Sequence, residues 1–242
     1  MHKNETIKSE LPLFYCPNML LGNVIDGDEA FHAIKVLRIC VDDKIQITDG
    51  IGNAVTAIVT QVSKKAIQYK ITEVIEVPKL KYNLHLVVAP TKNMERYENM
   101  LEKSTEFGFS MLTPIICHHS ERTIVKTDRL NRIMIAAAKQ SQKAMFPTIN
   151  EPIKFKKFME QTHDITNKYI ALCRDCNRIS LLEAAQKSPD AIVLIGPEGD
   201  FSEEEATLAI QHGYVPISLG NSRLRTETAG IAACHTFYVT NQ

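Results

Sequence analysis

The chain has 242 residues, of which 44% are hydrophobic and 23% charged, with 28 Lys+Arg against 28 Asp+Glu. Its length admits one large domain or two small ones, and its composition excludes a disordered acidic tail, a collagen-like repeat and a polybasic nucleic-acid arm. Zero net charge leaves no global field for a polyanion, so a nucleic-acid partner has to be met by local patches.

Neutrality is not uniform along the chain. Residues 1–74 hold 8 basic and 9 acidic side chains, residues 75–150 hold 11 and 7, and residues 151–242 hold 9 and 12. Positive charge is therefore concentrated in the middle of the chain, and the acidic C-terminal part is expected to suit a cationic small molecule. No apolar run approaches the roughly 20 residues of a membrane-spanning helix, and Met1 to Glu10 has no apolar signal-peptide core, so cytoplasmic residence is expected. Cys16, Cys40, Cys117 and Cys234 show no regular spacing, which speaks against a disulfide scaffold. Cys173 and Cys176 form a CxxC with no second pair to complete a zinc site, and no metal is expected.

Residues 13–77 read as β structure, with strands expected at Lys44–Thr48, Ala54–Val62, Ala66–Ile71 and Glu73–Val77 and turn signals between them. Asp28 to Arg38 has helical spacing, with Asp28 as a cap and Phe31, Ile34 and Leu37 on one side. Short strands with one small helix suggest a compact barrel, and Pro78 marks a boundary between domains at 1–77 and 78–242. From Leu84 onward, apolar runs at Leu84–Ala89, Met111–Cys117, Tyr169–Cys173, Ala191–Ile195 and Val215–Leu219 alternate with helical patterns. That is the signature of an α/β domain with a mostly parallel sheet. One helix is expected to end at Gly108, and another to run from Asp128 to Ala144. On the latter, Arg129, Arg132, Lys139 and Lys143 share an arc away from the apolar stripe. Joined by Arg122 and Lys126, they form either a face that tracks an RNA backbone or an ordinary solvated face.

Two loops carry the clearest chemistry. A strand ends in Gly196-Pro197-Glu198-Gly199-Asp200-Phe201, and Ser202 with Glu205 makes a capping box for the next helix. Glycines at a strand's carboxyl end let the backbone approach a ligand, and Glu203, Glu204 and Glu205 argue against a phosphate there; a tight β-to-α turn with no ligand is the alternative. The second loop runs from Leu219-Gly220 through Arg223-Leu224-Arg225, with Thr226 able to cap the final helix. Adjacent His118 and His119 fit an exposed loop, with or without RNA contact.

Gly196-Pro197-Glu198-Gly199 together with Leu219-Gly220-x-x-x-Leu224-Arg225-x-Glu227-Thr228-Ala229 resembles the bacterial methyltransferases that modify N3 of a uridine in 16S, small-subunit, ribosomal RNA, members of the SPOUT superfamily. Lys92 and Glu102-Lys103-Ser104-Thr105-Glu106-Phe107-Gly108 match a helix end of that family, and His32-x-x-x-Val36-Leu37-Arg38 with Gly50-x-Gly52 is similar to its RNA-binding PUA-like barrel. The resemblance implies an α/β methyltransferase domain with a C-terminal trefoil knot, S-adenosyl-L-methionine as methyl donor, and a homodimer acting on 16S rRNA or a 30S particle, with no membrane or DNA partner. It implies donor contacts at Leu172, Gly196, Glu198, Gly199, Leu219, Gly220, Leu224, Thr228 and Ala229, and catalytic roles for Arg225, Glu198 and Glu227. RNA contacts are expected at His32, Arg38, Lys92, Arg122, Arg132, Lys139 and Lys143. Asp200 stands where many members have glycine, and Asn221-Ser222-Arg223 where many have Pro-Arg-Ile. A non-catalytic RNA-binding or assembly factor, and an enzyme of the same superfamily acting on tRNA, are the rival readings.

Overall fold

The computed structural model describes residues 7–8, 10–161, 165–174 and 177–242; Cys176, the second cysteine of the CxxC, lies outside them. The chain divides into two compact units, residues 1–79 with 135–146 and residues 80–134 with 147–242. Among the described residues no helix is long and apolar enough to cross a membrane.

The first unit contains β1 (Leu13–Tyr15), α1 (Met19–Gly22), β2 (Val24–Ile25), α2 (Gly27–Phe31), β3 (Lys44–Thr48), β4 (Ala54–Val62) and β5 (Ile67–Ile75). They form one five-stranded sheet in the order β1-β3-β4-β5-β2, antiparallel except between β1 and β3. Alternation along β3 to β5 places Ile45, Ile47, Val55, Ala57, Val59, Ile67 and Tyr69 in a core closed by Phe14, Met19 and Ile25. The two strands expected over residues 66–77 are one. Thr72 is an extra residue at a bulge opposite Thr56 and Ala57, and its hydroxyl donates to the Thr56 carbonyl at 3.1 Å, so a polar pair that looks like an interruption is absorbed within the strand.

The helix expected over residues 28–38 also differs. Asp26, not Asp28, occupies the N-cap position; α2 ends at Phe31, a π-helical turn follows over His32–Val36, and Arg38 has φ 56°. The wider π turn breaks the 3.6-residue period, so Ala30 and Ala33 are buried while Phe31 is 64% and Leu37 43% exposed. Residues 135–146 belong to this unit although the sequence reading leaves them in the second domain. The Thr48 hydroxyl donates to the Ala144 carbonyl at 3.0 Å, Phe146 N–H donates to the Gly50 carbonyl at 2.8 Å, and Ile51 pairs with Met145. Gly50 has φ 78°, and a Cβ there would lie 2.8 Å from the Phe146 ring, so this turn requires glycine.

The second unit comprises β6 (Asn83–Val88), α3 (Met94–Phe107), β7 (Met111–Ile116), α4 (Thr127–Gln140, whose last turns count with the first unit), β8 (Thr148–Ile149), β9 (Ile153–Lys154), α5 (Phe155–Met159), β10 (Lys168–Ala171), β11 (Ile179–Ser180), α6 (Leu181–Lys187), β12 (Asp190–Ile195), α7 (Glu203–Gln211), β13 (Val215–Ser218) and α8 (Thr226–Thr240). Its parallel sheet runs β11-β13-β10-β12-β6-β7-β8, with β9 beside β7. Central strands β6 and β12 are buried on both faces, which is why their sequences read as continuous apolar runs. Gly108 ends α3 at φ 108°, as its position in the sequence suggests. Helix α8 packs on α3 so closely that a Cβ at Gly230 would overlap the Met100 thioether.

Candidate functional site

Strands β13, β10 and β12 are neighbours and run parallel, so their carboxyl ends share one edge of the sheet, the usual ligand-binding side of such sheets. A cavity of about 770 Å³ lies there, within the roughly 300–1,000 Å³ typical of small-molecule sites. Leu172, Gly196, Glu198, Leu219, Gly220, Leu224, Arg225 and Ala229 line it, whereas Gly199, Glu227 and Thr228 do not. Gly199 instead approaches the loop after β7: a Cβ on it would lie 2.9 Å from that of His119. Thr228 is exposed, and Glu227 is half-buried with Oε2 enclosed and without a hydrogen-bond partner among the described residues.

The wall formed by residues 196–202 is tied to the loops around it. The Thr226 hydroxyl donates to the Gly196 carbonyl at 3.0 Å, Glu198 Oε1 accepts the backbone N–H of Lys92 at 2.9 Å, and His119 Nδ1 meets the Asp200 carbonyl at 3.0 Å. The capping box forms as its spacing suggests, with Ser202 and Glu205 exchanging bonds of 3.0 and 3.2 Å. Glu205 also accepts the His118 N–H at 2.7 Å, and hydrogen bonds from its own backbone N–H and then from the Ser202 hydroxyl hold the Glu204 carboxyl below its usual range. Burial pushes the neighbouring Cys117 thiol up, with the Glu205 charge adding to it.

These contacts correct two expectations. Glu203 to Glu205 serve the start of α7 and leave the cavity, which is lined instead by Arg174, Arg178, Arg223 and Arg225 against Glu198 and Asp200. The acidic balance of the C-terminal third therefore does not describe its site. Thr226 does not cap α8 either: Arg225 holds the N-cap position, and Thr226, one residue inside, turns its hydroxyl to Gly196. By contrast, the loop of residues 219–225 is open. Gly220 has φ 119°, Arg223 and Arg225 are exposed, and their side chains make no hydrogen bond or ion pair among the described residues.

The basic residues assigned to RNA are distributed unevenly. Lys92 pairs with Glu121 at 2.8 Å, and Arg122 donates to the Lys92 carbonyl at 3.2 Å. Arg132 is exposed beside a cleft of about 420 Å³ that it lines with Lys126 and Arg129, the latter held by Glu98 at 2.6 Å. Lys139 is four-fifths buried and bound to Glu29 at 2.5 Å, so its charge is neutralised within the first unit. Helix α4 stops at Gln140, where the Ser141 hydroxyl bonds back to the Ala137 carbonyl and Gln142 adopts φ 55°; Lys143 therefore leaves the expected stripe. His32 and Arg38 are exposed in the first unit.

The family model described as RNA methyltransferase domain matches residues 78–238, and that described as RNA methyltransferase PUA domain matches residues 25–72. A Synechocystis protein named ribosomal RNA small subunit methyltransferase E is 31% identical over 208 residues, covering 82% of this chain and 67% of that one. The chain belongs to the ribosomal RNA small subunit methyltransferase E family. Two solved structures are similar over nearly their whole length. One is a probable rRNA-methyltransferase from Porphyromonas gingivalis, with TM-score 0.87 and 36% identity over 96% of this chain and 98% of that one. The other is ribosomal RNA small subunit methyltransferase E from Neisseria gonorrhoeae bound to S-adenosyl methionine, with TM-score 0.80, 29% identity and coverage of 93% and 96%. Family motifs account for the glycine loops, but Arg174 and Arg178 enter the cavity unannounced; their position in the connection between β10 and β11 is the sequence signal that would have found them.

Proposed function

We propose that this chain methylates N3 of a uridine in 16S rRNA with S-adenosyl-L-methionine as donor. The observation that carries this reading is the cavity at the ends of β10, β12 and β13, walled by two glycine loops and edged by arginines. Its chemistry suits the donor. Leu172, Ile195, Ile217, Leu219, Leu224 and Ala229 offer apolar surface for an adenosine, and a Cβ at Gly196 would lie 3.0 Å from the Phe201 ring, so a side chain there would crowd the loop. The donor supplies an activated methyl group on a sulfonium. Gly196, Gly220 and Leu224 are the residues that hold and orient it, with Ala229 in the first turn of α8.

Methyl transfer is an in-line displacement, so the chain contributes alignment and favourable charge placement. Uracil N3 must lose its proton. Arg225, exposed and uncommitted at the cavity, stabilises the uracil anion through its oxygens. Glu198 lines the cavity while Glu227 does not, so Glu198 is the group positioned to accept the proton through water. Arg122, Arg132, His32 and Arg38 are exposed and meet the RNA, with the first unit acting as a PUA-like barrel.

Two further features belong to this reading. The return of α8 from β13 toward α3, with Thr226 bonded beneath the loop after β12, supports a C-terminal trefoil knot. Helix α8 leaves Val239 53% exposed, and its His235 and Tyr238 rings pack on Phe107; an exposed apolar side chain on this helix supports a homodimer. The test is transfer of a labelled methyl group into 30S particles and naked 16S rRNA, followed by nucleoside analysis. We expect 3-methyluridine; label in another nucleoside, label in tRNA alone, or no transfer overturns the assignment.

A further inference from the structure

We propose that Asp200 and Arg174 form a reciprocal clasp that presets the donor cavity, making them positioning residues for donor binding. The inference rests on the donor reading given above. Strands β10 and β12 lie side by side, and the cavity opens between the segments that leave their carboxyl ends. Each segment sends one side chain across to the other's backbone. The Asp200 carboxylate accepts the N–H of Cys173 at 3.1 Å while its other oxygen accepts the N–H of Phe201 at 2.8 Å. In return, the Arg174 guanidinium donates to the Phe201 carbonyl at 2.5 Å and to the Ser202 carbonyl at 3.3 Å. Arg178 then braces the first segment by donating to the Leu172 carbonyl at 2.8 Å.

Asp200 holds φ 61°, a conformation that favours glycine, so local backbone preference does not explain an aspartate there; its two carboxylate bonds do. Leu172, Cys173, Arg174, Glu198 and Asp200 all line the cavity, so the clasp spans the site itself. Segments held in one arrangement before the donor arrives lose less conformational freedom on binding it, which strengthens binding without touching the reacting atoms. A clasp of this kind raises donor affinity while leaving the rate of the bound complex nearly unchanged.

The test uses the full chain as parent, Asp200→Gly, Asp200→Asn, Arg174→Ala and the pair Asp200→Gly/Arg174→Ala. Calorimetric titration with S-adenosylmethionine and S-adenosylhomocysteine is set beside steady-state methylation of 30S particles and thermal unfolding. We expect Asp200→Gly to weaken donor binding about ten-fold, and Asp200→Asn, which keeps one acceptor for one of the two N–H groups, about three-fold. Donor KM rises in step, while kcat and the KM for RNA stay within about two-fold. The pair is weaker than the worse single variant by less than the product of the two, because either break releases the same segments. Unchanged donor affinity in Asp200→Gly, or kcat and both KM values moving together with a lowered Tm, overturns the clasp. Should Asp200→Gly fail to fold, Asp200→Asn decides by the same criteria. A parent that binds neither compound overturns the donor reading itself and the clasp with it, a result distinct from failure in the variants alone.

Discussion

The two loops that wall the cavity are built in opposite ways. Residues 196–202 are held by Thr226, Lys92, His119 and the capping box of α7, all within the unit. Residues 219–225 present two arginines with no side-chain partner among the described residues. A fixed wall suits a small molecule that must be aligned to a fraction of an ångström. Open guanidiniums suit a large polyanion that arrives from solvent, since groups already paired within the chain have no charge left to offer it. Within one cavity, a braced segment faces an open one.

This contrast can be broken from either side. The largest effect is expected at Arg225. If it stabilises the uracil anion, Arg225→Ala lowers kcat by about 10²–10³ while donor affinity, measured by calorimetry, is retained; a loss confined to donor binding would move Arg225 to the other wall. Next comes the fixed side. Thr226→Val keeps the shape but removes the hydroxyl that donates to the Gly196 carbonyl. It should lower unfolding free energy by about 1–2 kcal/mol in urea and weaken donor binding, whereas an unchanged midpoint would mean that this tie is not what fixes the wall. The smallest effect is expected at Arg223. As an exposed phosphate contact it contributes to the salt dependence of RNA binding, so Arg223→Ala should reduce the slope of log K against log salt by about 1. An unchanged slope would leave Arg225 as the arginine of this loop that meets RNA.

Local signals carried far. Uninterrupted apolar runs located β6, β7, β10, β12 and β13 to within a residue or two, most firmly for β6 and β12, because a strand buried on both faces has little choice of side chain. The capping box and Gly108 placed helix ends for similarly local reasons, a short hydroxyl-carboxylate spacing and a positive φ. Periodicity misled where the period itself changed. At His32–Val36 the π turn rotated Phe31 and Leu37 toward solvent, and at Thr72 a bulge hid the continuity of β5. Charge misled for a different reason. Lys139 appeared as part of an RNA-facing stripe, yet its partner Glu29 lies 110 residues away in sequence and no local pattern announces it.

Sequence by itself determined the α/β order, the two glycine loops and the family resemblance, since each rests on residues within one element or one turn. Tertiary structure decided which charges remain available. It turned Glu203 to Glu205 onto the start of a helix, neutralised Lys139, and brought Arg174, Arg178, Arg223 and Arg225 to one cavity. The reason is physical: backbone preference acts over a few residues, whereas ion pairs and hydrogen bonds form between whichever groups the fold brings within about 3 Å.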